Sequence, residues 1–144
     1  MCLKVFVKGS EDLYTDLSQF AISLGSAFQK VNFLRDLKDD ANVLNRVYFP
    51  NIDMNNFDES SKKEIVLEIE KDFINAIKGI AKLPKNSRFA VYIAYRYYVK
   101  LLKKLKRTSS ENIVKKRIRI HNIQKFAVIA RSYVKYQLNI IQWI

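Results

Sequence analysis

Asn32, Asp36 and Asp40 recur at every fourth position in the segment from Leu24 to Pro50, LGSAFQKVNFLRDLKDDANVLNRVYFP. On an α-helix, at about 100° per residue, their side chains fan over only about 80° of arc. Gln29 projects into the same sector, and Gly25 leaves bare backbone there. The opposite sector carries Leu24, Ala27, Val31 and Leu34, an ordinary core stripe. An amide and two carboxylates stacked one turn apart are hard oxygen ligands. They suit Mg²⁺, which usually takes one or two carboxylates and fills its other positions with water or substrate phosphate. The bland alternative is a solvated helix face, since two aspartates four apart are common. Against it, Asp36 and Asp40 lie deep in the helix, away from the first turn where the dipole rewards acids. They also repel one another by about a few tenths of a kcal/mol.

Other residues that carry chemistry elsewhere read as structural here. Asp12 and Asp16 share the four-residue spacing but sit in the first turns of the same helix, where acids complement the dipole. Tyr92, Tyr95, Tyr97 and Tyr98 cluster on a later helix, and core packing is the expectation for Tyr92 and Tyr95. His121 is the sole histidine, so neither a His-based metal cluster nor a Ser-His-Asp triad is available. Cys2 has only Lys4 beside it to activate a thiolate, which argues against nucleophilic catalysis. No glycine-rich phosphate loop of the dinucleotide or Walker type is present.

The elements that position these residues follow from periodicity and punctuation. Residues 1–8 read as the end of a helix stopped at Gly9-Ser10, and a second helix runs from near Ser10–Asp12 to about Asp40. Residues 41–58, rich in Asn and Asp, read as a loop. Asp58 or Ser60 caps a third helix through Ala81, with Ile65, Ile69, Phe73, Ile77 and Ile80 as its buried row. Pro84 ends that passage, and Asn86 or Ser87 starts a helix reaching about Lys106. Thr108-Ser109-Ser110 is a connection into Lys115–Ile120, whose alternating basic and apolar residues suit an extended stretch. A last helix spans about Asn122 to Ile140.

With 144 residues, 49% apolar and only three Gly and two Pro, the chain suits one all-helical domain over 1–144. That length buries roughly 70% of the unfolded surface. The single cysteine excludes an internal disulfide and accords with a reducing cytoplasm. No apolar run approaches the roughly 18 residues of a membrane span. Charge is lopsided: residues 1–81 hold 10 Lys/Arg and 13 Asp/Glu, net −3, whereas residues 82–144 hold 16 Lys/Arg and one acid, Glu111, net +15. A basic half of this kind suits nucleic acid, an anionic membrane or a polyanionic small ligand, and charge alone does not choose.

The run Gly25, Ala27, Gln29, Asn32, Leu34, Arg35, Asp36, Asp40, then Arg46-Val47-Tyr48-Phe49-Pro50, closely resembles the second aspartate-rich motif of squalene and phytoene synthases. Met1–Phe6 looks like the helix segment just before it in that family, and matches continue almost to the C-terminus. The details are most similar to bacterial phytoene synthases of the carotenoid pathway. The resemblance implies an isoprenoid-synthase-type helical bundle. It also implies that this chain is the C-terminal half only, since nothing in it matches the family's first aspartate-rich motif. Asp12–Asp16 has the spacing but the wrong position and neighbours.

The implied activity is Mg²⁺-dependent (or Mn²⁺-dependent) head-to-head condensation of two geranylgeranyl diphosphates to phytoene, through a cyclopropyl diphosphate. A squalene-type enzyme acting on farnesyl diphosphate is the alternative, and only that one would need NADPH. By resemblance, Asn32, Asp36 and Asp40 would hold the metal, and Asp36, Asp40 and Tyr48 would be catalytic. Gln29, Arg35, Arg46, Tyr98 and Arg117 would line the diphosphate. A guanidinium offers phosphate oxygens a planar, permanently charged fork; for Arg117 the alternative is a solvated basic segment. The chain alone is expected to be weakly active or inactive, and to self-associate or pair with the missing N-terminal half. The expected location is the cytoplasm, with peripheral contact at a bacterial inner membrane. A non-catalytic basic helical module remains the competing class. Specific nucleic-acid recognition is not expected, and strongly salt-dependent DNA binding would argue otherwise.

Overall fold

The computed structural model describes residues 2–40 and 57–138, with the backbone alone for residues 38–40. Six helices follow one another among them: α1 (Cys2–Phe6), α2 (Glu11–Asp40), α3 (Glu59–Lys82), α4 (Lys85–Arg107), α5 (Ser110–Lys115) and α6 (Asn122–Gln137). The described residues contain no strand, so the architecture is all-α as the sequence implies. The expected loop at 41–58 lies almost wholly outside the described residues.

α1 turns into α2 through Lys8 and Gly9, both at positive φ (54° and 78°), a conformation for which Gly9 carries no steric penalty. α2 then lies along α3. Ala27, Val31 and Leu34 on α2 are fully buried, and Ile65, Ile69 and Phe73 on α3 meet them, so both predicted core stripes are present. Across the edge of this seam Lys30 bonds Glu68 and, at 2.9 Å, Asp72, which also accepts from Ser26 Oγ at 2.8 Å. Burial works against the Lys30 charge, but its two carboxylate partners outweigh that and hold its pKa above the ordinary value. Asp58 caps α3 as predicted, its Oδ1 accepting from Ser61 N at 2.8 Å. That bond pulls the Asp58 pKa below the usual carboxylate range.

α4 starts at Lys85 and packs on both α2 and α3; Tyr92 is buried and Tyr95 is half-buried against the core, the structural role expected of them. The expected connection at 108–110 proves to introduce a short helix, α5. Its first N–H, that of Ser110, donates at 2.6 Å to Glu59 Oε1 on α3. This cap comes from 51 residues away, so no local signal announces it. After α5 the chain runs without helix to α6, and its alternation is real: Ile118 and Ile120 enter the core while Arg117 and Arg119 face outward. α6 rests on α4 through Phe89, whose ring centroid lies 5.9 Å from Tyr133 and 4.9 Å from Tyr136. No described helix is long and apolar enough to cross a membrane.

α3 presses closely on α2 at Gly79, where an added Cβ would fall far inside contact distance of Phe20 Cβ. That atom is fixed to the backbone of α2 and cannot give way as a side-chain tip could. Gly79→Ala is expected to destabilise the chain by roughly 1–3 kcal/mol through overpacking, read as a lower urea midpoint at unchanged slope. An unchanged midpoint would show that the two helices are not held at this spacing.

Candidate functional site

Asn32 and Asp36 stand one turn apart on the face of α2 that is turned away from its core stripe, both half-buried. Each meets an element from far along the chain. Asn32 Nδ2 donates to Tyr98 Oη on α4 at 3.1 Å, and the Tyr98 ring stacks on Phe28 of α2 with centroids 4.0 Å apart. Asp36 meets Arg117, whose Nε lies 2.6 Å from Oδ1, and the adjacent Arg35, whose Nε donates to the same oxygen at 3.0 Å. The carboxylate raises the Arg35 pKa above its already high ordinary value, so this guanidinium is charged at any working pH.

Beside these ion pairs opens a basic hollow of about 530 Å³, walled by Arg35, Tyr97, Arg117, Arg119, His121 and Lys125 with Ile120 and Asn122. Among the described residues, no carboxylate lines it. On the other side of Phe28 lies a cavity of about 450 Å³ whose wall is almost wholly apolar. Phe6 of α1, Leu17, Phe20, Leu24 and Phe28 of α2, Ile80 of α3 and Val91 of α4 contribute to it. Gly25 also lines this cavity, and a Cβ there would meet nothing within 4 Å. At 1.5 Å per residue, Gly25 and Asn32 are about 10 Å apart along the axis of α2. One helix therefore carries both a polar, charged station and an apolar hollow, in series.

Residues 1–124 match the family model for squalene/phytoene synthase. The chain belongs to that family. Its members are prenyl transferases that join isoprenoid diphosphates head to head, and the match runs from α1 through the extended stretch into the first turn of α6. No individual curated protein and no solved structure matches the chain.

The structure brings Asn32, Arg35, Asp36, Tyr98 and Arg117 together, although 81 residues separate Asp36 from Arg117. Gln29, on the same side, is exposed. Arg46 and Tyr48 lie outside the described residues, as does the side chain of Asp40. Phe28, Arg119 and Lys125 were not anticipated, and Tyr97 was named only as a member of the aromatic cluster. Phe28 precedes Asn32 by one turn and so belongs to the same edge of α2, a signal that spacing alone carried. His121, given no role from sequence, lines the hollow and is exposed. The four-residue repeat of aspartates, costly by itself, acquires a counterweight in two arginines.

As donors for a hard cation, the Asn32 amide oxygen and the Asp36 carboxylate fit, and the backbone of Asp40 continues the same line. Among the described residues no three acidic, histidine or cysteine side chains gather; α2 would supply one wall of such a site. Tyr98 ties that wall to α4. Tyr98→Phe keeps the stacked ring but leaves the Asn32 amide without its partner, and a loss of about 1 kcal/mol in chemical denaturation is expected. Equal stability of the two proteins would mean that water replaces the hydroxyl fully.

Proposed function

We propose that this chain binds the diphosphate of a geranylgeranyl chain and takes part in the Mg²⁺-dependent head-to-head condensation that forms phytoene. The observation that supports this most is the apolar cavity set in series with the basic hollow along α2. An amphiphile with a polyanionic head and a long hydrocarbon tail has that profile, and a cavity of this size is in the range of ligand sites. Arg35 and Arg117, joined by Arg46, take phosphate oxygens as bidentate forks; Gln29 and Tyr98 hydrogen-bond the head and orient it. Asn32, Asp36 and Asp40 hold the metal, whose Lewis acidity favours departure of the diphosphate with the bonding electron pair. Phe28, stacked on Tyr98, stands between head and tail and keeps water from the allylic carbon. Tyr48 joins Asp36 and Asp40 as a catalytic residue of this reading. Because phytoene formation needs no reductant, NADPH has no part in it.

Residues 1–144 supply one wall of the metal cage in this proposal, and a second wall from a complementary half completes it. The chain alone then binds substrate better than it turns it over. Calorimetric titration with a geranylgeranyl thiodiphosphate is expected to show binding that needs Mg²⁺ and disappears in the Asp36→Asn/Asp40→Asn double variant. Binding indifferent to both metal and substitution would remove the functional reading.

A peripheral membrane contact belongs to the same proposal, since substrate and product are lipids. α6 turns Ile123 (83% exposed), Phe126 (72%) and Val134 to solvent, and Leu138 at its C-cap is exposed too, while Lys125, Arg131 and Lys135 lie on the same helix. An apolar helix face with cationic flanks is the pattern that settles on anionic lipid. The chain is expected to float with phosphatidylglycerol vesicles in a salt-sensitive way, and Ile123→Ser/Phe126→Ser is expected to stay in the bottom fraction. Wild-type protein that also remains there would rule out this surface.

A further inference from the structure

The Asp36 carboxylate is already filled by the chain itself. Oδ1 accepts from Arg35 Nε at 3.0 Å and lies 2.6 Å from Arg117 Nε in an ion pair, and Oδ2 accepts from Arg35 Nη2 and, at 3.3 Å, from Arg117 Nη2. Three hydrogen bonds and one close ion-pair contact thus engage both oxygens of the carboxylate. Among the described residues, two guanidiniums against one carboxylate leave a net positive cluster, and Arg119 and Lys125 line the hollow beside it. A lone divalent cation therefore meets repulsion and a ligand with no free oxygen. Deprotonation offers no release, because arginine stays charged in proteins.

A diphosphate changes the balance. Guanidinium forks pair with phosphate as they do with carboxylate, and the polyanion outbids a single carboxylate for both. The side chain of Arg117 is 40% exposed, on the extended stretch between α5 and α6, with the 530 Å³ hollow open beside it. We propose that Arg35 and Arg117 form an anion-released latch on Asp36. The diphosphate head draws the two guanidiniums away, and the freed carboxylate then becomes available to the metal. The latch rests on the assignment of Asp36 to the metal made above. It makes anion and metal binding positively coupled, each strengthening the other by the same factor. It also keeps the metal out of a site that holds no substrate.

Equilibrium dialysis of the full chain against Mn²⁺, with and without inorganic pyrophosphate at matched free Mn²⁺, tests this without turnover. Metal–pyrophosphate complexes cross the membrane freely, so only metal retained by protein is counted. Pyrophosphate is expected to raise Mn²⁺ affinity by about tenfold or more, within the usual span of coupling. Without pyrophosphate, Arg117→Gln is expected to bind Mn²⁺ about fivefold more tightly than wild type. Arg119→Gln removes the same charge without touching Asp36 and is expected to change affinity less than about twofold. Mn²⁺ binding in wild type that ignores pyrophosphate, with the two arginine variants alike, would overturn the latch and leave the metal assignment standing. Retention of no metal by any of these proteins, with or without pyrophosphate, would overturn that assignment and the latch with it.

Discussion

α2 has no freedom to rotate about its own axis, because Ala27, Val31 and Leu34 are completely buried against Ile65, Ile69 and Phe73 of α3. A slip of one residue along α2 would turn every side chain by about 100° and carry Asp36 away from Arg117. Two further contacts guard against this. Lys30 is pinned to Glu68 and Asp72, and Gly79 allows α3 to press directly on Phe20. The functional edge of α2 is what remains after that packing is satisfied. Its geometry is inherited from the core, which is why a polar station of a few side chains keeps its place in a protein of this size.

The extended stretch before α6 works by the same logic at a different period. In a backbone with alternating side chains, burying Ile118 and Ile120 in the core shared with Val31 and Leu105 obliges Arg117 and Arg119 to face the other way. Arg117 thereby reaches Asp36 on the acidic half of the chain, as Lys106 reaches Glu70 there. Elsewhere the basic half stays largely unneutralised, since its single acid, Glu111, is bonded to Lys115. The excess positive charge is thus spread over α4, the hollow and α6.

The two hollows divide the chemistry of an amphiphilic ligand between them. Walls drawn from α1 to α4 make the apolar one, so it depends on four helices meeting at the end of the bundle away from Asp36. The basic one depends on α2, α4 and the stretch leading into α6. Phe28 and Tyr98 stand at the join, one from α2 and one from α4, and their stacked rings tie the polar station to the apolar one.

Much of this was legible from residues alone. Helical periodicity marked the stripes of α2 and α3, Asp58 marked the start of α3, and the four-residue spacing put Asn32, Asp36 and Asp40 on one face. Each is a local signal, written in side chains within a turn or two of one another. Alternation likewise marked the extended stretch at 116–120, although Lys115, expected to begin it, closes α5 instead. The helix α5 was not legible, because its first turn is capped by Glu59 from α3 rather than by a neighbour. Nor was the pairing of Asp36 with Arg117, or of Asn32 with Tyr98, since contacts between residues more than sixty positions apart leave no trace in spacing. By itself the sequence determined which residues face together on each helix, through the fixed periods of helix and strand. The tertiary structure alone decided which of those faces meet, because that choice belongs to the packing of apolar stripes.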